Sequence, residues 1–263
     1  MIFVYPKGRM GNQMFQIAAT YALSLDNNVD YLCGRHISGI TPSSLEVEKH
    51  RATIFRNVMY GRLDNNCSVV HDDSQSFIFE PIKYTPNMCL GGYYQSEKYF
   101  SHRSKEIKDL FSPSKPIRNI MQKKFSNLLN DSNTCSVHVR RGDYLKYKDY
   151  HYNLTNRYYH SCFTKMTPDT HFVFFSDDIT WCRNEFKDLN ASFINTGFDV
   201  LDLHLMSCMK NNIIANSSFS WWAAWLNKNN DKKVLAPSVW FGEKNLHLSD
   251  KDLIPSDWSR NEV

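Results

Sequence analysis

The sequence predicts an α/β protein made of two Rossmann-like halves that face each other across a cleft, and three observations carry this prediction. After Asn133, short apolar runs alternate with stretches of helical spacing. These runs are apolar without interruption, which is typical of strands in a parallel sheet covered on both faces. The chain also opens with an apolar run, a glycine-bearing turn and an amphipathic stretch, which is the start of a second unit of this kind.

The first half is less regular than the second. A strand is predicted at 2–5, a turn at 6–12 and a helix from Met14 to Leu25, with further strand-like fragments at 68–70 and 77–79. The breaker cluster 112–116 precedes a helical stripe over 117–129. We therefore place the domain boundary there, which predicts an N-terminal domain 1–116 and a C-terminal domain 117–263.

The second half gives a regular alternation of elements. Strands are predicted at 135–140, 171–175, 192–195, 212–215 and 233–235, and helices near 155–166, 179–187, 199–209 and 218–228. Doubly wound sheets of this type bind ligands beyond the carboxyl ends of their strands.

Composition and charge narrow the function class. Hydrophobic residues make up 42% and charged residues 22% of the 263 residues, as in soluble globular proteins, and the net charge is only +4. We therefore expect no nucleic-acid partner. No window is apolar over the ~20 residues that a membrane-spanning helix needs, although peripheral contact with a membrane stays open. The seven cysteines form no CxxC pair, so reduced thiols, a cytoplasmic location and no metal site are expected. The aromatic share of 14% fits a sugar-stacking cleft or a core rich in large side chains.

The densest chemical signal is a seven-residue run at the end of the first strand of the second half, His138-Val139-Arg140-Arg141-Gly142-Asp143-Tyr144. Because side chains alternate along a strand, at least one of the two arginines should project beyond it. A guanidinium there can bind phosphate oxygens in a forked geometry, and Asp143 can orient an arginine or accept a proton. An arginine–aspartate ion pair that only caps the strand explains the spacing equally well.

Two more polar runs follow strands. The serines of Asn216-Ser217-Ser218-Phe219-Ser220 begin a helix, whose free N–H groups can bind an anion; helix capping by Ser218 or Ser220 is the alternative. In Ser176-Asp177-Asp178, the carboxylates can bind a base, a ribose or a divalent metal, and capping of the next helix is again the alternative. Three such runs at successive strand ends would converge on one crevice.

Together these runs resemble the sequence blocks of fucosyltransferases. The run 138–144 resembles the HxRRxD motif of α1,2-, α1,6- and protein O-fucosyltransferases, and 176–178 resembles their second block. The stretch 202–226 is similar to the third block in the form found in bacterial α1,2-fucosyltransferases, glycosyltransferase family 11. The runs 8–16 and 92–96 fit that family's opening and middle blocks, so the resemblance spans residues 8 to about 228.

The resemblance implies a GT-B fold, in which the second half binds GDP-fucose and the first half shapes the acceptor side. It implies metal-free, cofactor-free, inverting transfer of L-fucose to O2 of a terminal β-galactoside, in glycan or O-antigen synthesis. By position it places Arg140 at the diphosphate, and Asp143 is the nearest candidate base by sequence, although it may equally orient an arginine. Donor binding is predicted for a wider set: His138, Arg140, Arg141, Asp177, Asp178, Ser218, Phe219, Ser220 and Asn12. Tyr93, Tyr94 and Gln95 either line the acceptor side or pack. The rival readings are a transferase for another nucleotide sugar and a non-enzymatic glycan-binding module.

Overall fold

The computed structural model describes residues 1–34, 49–61, 67–73 and 77–263. Within these ranges the chain divides into two compact units. The first comprises Met1–Pro113 and Leu248–Pro255, and the second comprises Ser114–His247 and Ser256–Val263. The break after Pro113 lies close to the boundary drawn from the sequence at 116/117. The return of residues 248–255 to the first unit has no counterpart in the sequence pattern.

The first unit contains a parallel sheet flanked by helices. Its strands are β1 (Ile2–Val4), β2 (Tyr31–Gly34), β3 (Tyr60–Gly61), β4 (Ser68–His71) and β5 (Met88–Leu90). They lie in the order β3-β2-β1-β5-β4, and every pairing is parallel. Its α-helices include α1 (Met10–Asp26) and α2 (Ser104–Leu110).

The turn between β1 and α1 is fixed by two buried amide side chains. Gln13 Nε2 donates to the carbonyl of Gly8 at 2.8 Å. Gln16 Nε2 donates to the carbonyl of Lys7 at 2.8 Å, and Gln16 Oε1 accepts from the Lys7 N–H at 3.0 Å. Gly8 has a φ of +79°, which favours glycine. The glutamines of the opening block therefore satisfy the backbone of this turn.

The strand predicted at 77–79 is wrong. Phe77 has a left-handed φ of 56°, and its N–H bonds back to the carbonyl of Asp73 at 2.9 Å. The N–H of Phe79 donates to Asp252 Oδ2 at 3.1 Å instead of to a neighbouring strand. The apolar side chains of this segment suggested a strand, but its backbone forms a turn. The ring of Phe77 stacks on that of Tyr93, with the two centroids 5.4 Å apart.

The returning segment Leu248–Pro255 is attached to the first unit by a carboxylate. Asp252 Oδ1 forms an ion pair with Lys98 Nζ at 2.5 Å, while its Oδ2 accepts the Phe79 N–H. Leu253 and Ile254 beside it are buried. The segment therefore completes both the polar contacts and the core of this unit.

The second unit contains a six-stranded parallel sheet. Its strands are β6 (Thr134–Val139), β7 (His171–Ser176), β8 (Ala191–Ile194), β9 (Asn211–Ile213), β10 (Val234–Pro237) and β11 (Ser259–Asn261), in the order β11-β10-β9-β6-β7-β8. Its helices include α3 (Lys115–Asn130), α4 (Gly142–Lys146), α5 (Asn156–Phe163), α6 (Ile179–Glu185), α7 (Asp199–Cys208) and α8 (Ser218–Leu226). Each of the five strands and four helices predicted after Asn133 is found within a few residues of its expected position.

Both faces of this second sheet are covered. Val137 and Val139 belong to a core cluster with Tyr158 of α5 on one face. The intervening residue His138 points to the other face, where its ring lies 5.3 Å from that of Phe219 in α8. The expectation of a sheet buried on both sides is confirmed, and it explains why its central strands are apolar.

Two further sequence expectations can be compared with the structure. All seven cysteines lie in the described ranges, and none of them is in a disulfide. Within those same ranges, no helix combines the length and the apolar character needed to cross a bilayer.

Candidate active site

The three polar runs meet at one edge of the second sheet. They follow β9, β6 and β7, which are neighbours in the sheet order. All strands are parallel, so these carboxyl ends lie side by side. The expected convergence is confirmed, and contacts between the runs hold their side chains in place.

Arg140 lies just beyond β6 and is held by two carboxylates. Its Nη2 is 2.5 Å from Asp143 Oδ1, and its Nη1 is 2.9 Å from Asp177 Oδ2. The side chain is 18% exposed, so it is largely desolvated yet still reachable. Two anchors on different runs fix the plane of the guanidinium through contacts within the protein, which is the condition for preorganised electrostatic stabilisation.

Arg141 points to a different partner. Its Nε donates to Asp178 Oδ2 at 3.0 Å, and its guanidinium carbon lies 4.1 Å from the ring centroid of Trp181. Its backbone N–H donates to Asp177 Oδ1 at 2.9 Å. Arg141 therefore ties the first run to the second and supports the site through these contacts.

The two carboxylates of the second run are engaged on both oxygens. Asp177 accepts from Arg140 and from the Arg141 N–H. Asp178 Oδ1 caps α6 by accepting the Trp181 N–H at 3.1 Å, while its Oδ2 bonds Arg141. The capping alternative for Asp178 is thus present in the structure, together with the arginine contact.

The third run begins α8 and offers backbone donors. Ser217 is the N-cap residue and its side chain makes no capping bond. The N–H groups of Phe219 and Ser220 lie in the first turn and have no acceptor within the helix. The Ser220 hydroxyl is buried and donates to the carbonyl of Ser217 at 3.3 Å, so its side chain is used internally. Ser218 and Phe219 are half-buried.

The tryptophans that follow pack the helix. Trp221, Trp222 and Trp225 are all buried, and their rings lie against one another with centroids 5.2–6.3 Å apart. All three tryptophans are therefore packing residues.

His138 is buried beneath Arg140. Burial and, to a smaller extent, the nearby Arg140 charge together lower the pKa of His138 to about 3. The imidazole is therefore neutral at physiological pH. Its Nδ1 has no hydrogen-bond partner within the ranges that the structure describes.

Tyr144 and Asp202 also lie at this edge, and they were not singled out from the sequence. The Tyr144 hydroxyl donates to the carbonyl of Asn216 at 2.9 Å, which joins the first run to the third. Asp202 of α7 accepts at 2.7 Å from the hydroxyl of Thr196, which lies just after β8. Both residues fall within runs that were quoted, but only the sheet order shows what they contact.

Burial raises the pKa of Asp202 to about 6, against the hydrogen bonds from Thr196, which lower it. An unfolded aspartate titrates near 4. Between about pH 4 and pH 6 the folded protein therefore binds more protons than the unfolded chain, so this group's contribution to stability falls as pH rises. We expect Asp202→Asn to flatten that fall and to raise the Tm at pH 8 by about 2–5 °C.

Thermal melts between pH 4 and pH 8 check this expectation, with the exposed carboxylate variant Asp188→Asn as control. An Asp202→Asn protein with the wild-type pH slope, or with a lower Tm at pH 8, would contradict it. The readout is stability alone and does not depend on any assignment of substrate.

In the first unit, Asn12 and the middle block are linked to each other. Asn12 Oδ1 accepts from Gln95 Nε2 at 2.9 Å, across the ends of β1 and β5. Tyr94 is fully buried, and its hydroxyl donates to the carbonyl of His71 at 2.7 Å, so Tyr94 is a packing residue. Tyr93 is half-buried, with Lys7 Nζ 4.7 Å from its ring centroid.

The sequence profile described as Glycosyl transferase family 11 matches residues 1–260. This chain belongs to that family. The chain is therefore a glycosyltransferase, and the family resemblance read from its motifs is confirmed.

Relatives of known name agree with this assignment. The chain is 32% identical to an α-1,2-colitosyltransferase of Escherichia coli, over 97% of each protein. It is 28% identical to the O-antigen biosynthesis glycosyltransferase WbnK of Escherichia coli, over 90% of this chain and 94% of WbnK. A galactoside α-(1,2)-fucosyltransferase 1 of Bos taurus is 27% identical, over 84% of this chain and 65% of that enzyme.

A solved structure supports the fold. The fucosyltransferase NodZ from Bradyrhizobium superposes with a TM-score of 0.54 at 12% identity, over 84% of this chain and 92% of NodZ. At that identity the likeness concerns architecture alone. Together with the two parallel sheets, it confirms the predicted fold class, an α/β protein of GT-B type with two Rossmann-like halves.

Proposed function

We propose that this family 11 enzyme transfers L-fucose from GDP-fucose to O2 of a terminal β-galactoside, with inversion at the anomeric carbon. The observation that carries the proposal is the clamped Arg140, held by Asp143 and Asp177 beside the first turn of α8. A cation and free N–H donors grouped at one sheet edge suit a nucleoside diphosphate. The α1,2 specificity named for several relatives supports the linkage.

In this mechanism the acceptor O2 attacks fucose C1 from the face opposite the diphosphate. The bond from C1 to the β-phosphate oxygen breaks, its electron pair leaves with GDP, and the O2 proton passes to a base or to water. Negative charge grows on the diphosphate as the bond lengthens. Arg140 and the N–H groups of Phe219 and Ser220 would stabilise that charge. His138 and Asp178 would lie at the nucleoside, and Asn12 would contribute from the first unit.

We further propose that no metal takes part. The carboxylate oxygens of Asp177 and Asp178 are occupied by arginine and backbone donors, so a cation would have to displace these bonds. Arg140 supplies positive charge at the same edge. We expect turnover to persist in excess EDTA, measured as GDP release after desalting. Activity that disappears with EDTA and returns with Mn²⁺ would make these carboxylates metal ligands.

Asp143 can act as the base or as the residue that orients Arg140, and its geometry favours orientation. Its Oδ1 is 2.5 Å from Arg140 Nη2. We expect Asp143→Asn to lower kcat only about tenfold, because an amide oxygen still accepts from Arg140. The acid limb of the pH–rate profile should remain, because an orienting residue is not the group that titrates there. Loss of the acid limb, with the alkaline limb unchanged, would identify Asp143 as the base instead.

A second donor deserves a direct test because the relative with 32% identity is named as a colitosyltransferase. Colitose is fucose without its 3-hydroxyl group. A site that binds this hydroxyl would favour GDP-fucose strongly, because its polar groups would be left without partners when the deoxy sugar is bound. Comparing kcat/KM for the two donors at one acceptor concentration decides between them. GDP-mannose and UDP-galactose extend the comparison to other nucleotide sugars.

Linkage is tested on the product. The purified protein is incubated with GDP-fucose and a panel of β-galactosides, and the products are read by NMR. A correlation from fucose H1 to galactose C2, with an α anomeric signal, is expected. A correlation to galactose C3 or to a GlcNAc carbon would refute the α1,2 linkage and leave the donor assignment standing. Binding of galactosides with no turnover of any donor would favour a glycan-binding module.

A further inference from the structure

Four exposed hydrophobic side chains lie near the active-site edge. Leu145, Tyr147, Tyr150 and Leu246 are 48%, 49%, 46% and 70% exposed. They make up half of the eight large hydrophobic side chains that are exposed within the described ranges. Single exposed hydrophobics are ordinary, but a group of them indicates a binding surface. We call these four residues the aromatic surface.

Backbone contacts bring the two segments of the aromatic surface together. The carbonyl of Tyr150 accepts the Gly242 N–H and Asn245 Nδ2, both at 3.0 Å. The Lys244 N–H donates to the carbonyl of Asp149 at 2.8 Å. A Cβ on Gly242 would lie 2.7 Å from that same carbonyl, so the close approach needs glycine. The turn that carries Leu246 is thus packed against the turn that carries the tyrosines.

The aromatic surface is continuous with the active-site run. The N–H of Leu145 donates to the carbonyl of Arg141 at 2.8 Å, and the N–H of Tyr147 donates to the carbonyl of Asp143 at 2.9 Å. The surface therefore starts within one helical turn of Arg140 and the two carboxylates that hold it, Asp143 and Asp177, which we call the arginine clamp. A molecule on it would lie next to the position proposed for the donor diphosphate.

We propose that the aromatic surface binds the acceptor saccharide, with the apolar face of a pyranose ring against Tyr147 or Tyr150. This inference rests on the proposed transfer to a galactoside. Tyrosine offers a large apolar ring face together with a hydroxyl at its edge, which suits the mixed surface of a sugar. Lys146 and Lys244 lie 5.4 Å and 5.1 Å from the two ring centroids and can donate to sugar hydroxyls.

The charges around the surface favour a neutral sugar over an anionic bilayer. The charges of the two segments nearly balance, since Lys146, Lys148 and Lys244 are accompanied by Asp149 and Glu243, and Lys244 is paired with Asp149 at 3.1 Å. Membrane-binding surfaces gain their affinity from clusters of unbalanced Lys and Arg. Association of a second copy through this surface and binding to lipid are therefore outcomes to be tested.

The test compares Tyr147→Ala/Tyr150→Ala with Tyr147→Phe/Tyr150→Phe. As matched control, Met59→Ala/Ile120→Ala removes two exposed hydrophobics elsewhere. We expect the alanine pair to raise the KM for a β-galactoside at least tenfold, while its GDP affinity and its hydrolysis of the donor without acceptor stay within twofold of wild type. The phenylalanine pair and the control should stay close to the wild-type KM, since stacking is kept.

Direct binding separates this inference from the proposed function. Saturation-transfer NMR with lactose and no donor should give a signal that the alanine pair loses. If wild type transfers no fucose but this signal still depends on the tyrosines, the proposed function fails and the inference stands. An unchanged acceptor KM in the alanine pair overturns the inference. If that variant then also loses binding to phosphatidylglycerol vesicles, or loses a dimer, the surface binds lipid or a second copy instead.

Discussion

Replacing Arg140 by lysine should lower kcat at least ~10²-fold, which corresponds to roughly 2.7 kcal/mol of transition-state stabilisation. The guanidinium uses one amino group for Asp143 and the other for Asp177, and this fixes the direction of its charge. A lysine ammonium is a compact charge on a flexible stem and cannot satisfy both carboxylates in the same geometry. The loss should appear in kcat more than in donor KM, because the charge that Arg140 stabilises develops during bond cleavage.

Steady-state kinetics with saturating donor and acceptor measure this loss. Arg183→Lys, on the exposed side of α6, keeps the chemistry of the substitution and lies outside the arginine clamp. Its kcat should equal that of wild type. A folded Arg140→Lys enzyme with near-normal kcat would remove Arg140 from the diphosphate role, whatever the effect on stability.

Gly142→Ala should lower kcat tenfold or more while the protein stays folded. A Cβ at this position would lie 2.6 Å from Asp177 Oδ2, the oxygen that binds Arg140. The carboxylate must move away, and the arginine clamp then loses one of its two anchors. Gly142 is the first residue of α4, and its φ lies outside the left-handed region, so alanine can adopt the same backbone conformation. Activity should therefore fall much more than stability.

Melting curves and kcat measured on one preparation check this separation. Gly61→Ala is the matched control, because its Cβ would meet the flexible side chain of Leu32 at 3.0 Å, in the other unit. It should lose some stability and keep its kcat. Combining Gly142→Ala with Arg140→Lys should give less than the product of the two losses, because both act on one clamp. Independent, multiplying effects would contradict the shared mechanism.

Much of the second unit could be predicted from the sequence because its strands are buried on both faces. Such strands are short apolar runs with abrupt polar ends, so both their number and their carboxyl ends can be read. The contacts that side chains make at those carboxyl ends could not be predicted. Asp177 serves both arginines because β7 lies beside β6, and strand order is not a property of any local pattern. Asp202 was missed for the same reason, since its partner Thr196 follows an edge strand.

The first unit was harder to predict because its polar contacts replace regular structure. Asp73, a buried carboxylate, accepts the N–H groups of Tyr93 and Tyr94 at 2.6 Å and 2.9 Å. These bonds hold the middle block as an irregular loop, although its aromatic residues are typical of a strand. The block was recognised by its resemblance to a family, and its conformation depends on a side chain about 20 residues earlier in the chain.

The return of Leu248–Pro255 to the first unit has a consequence for biosynthesis. Domains that are contiguous in sequence can fold as they leave the ribosome, N-terminal domain first. Here the first unit lacks Asp252 and the buried Leu253 until the chain has been translated through residue 255. At about 5–20 residues per second, the intervening Ser114–His247 take on the order of 10 s to synthesise. The nascent first unit must wait that long, with its Lys98 and Phe79 contacts unmade, before its last native piece emerges.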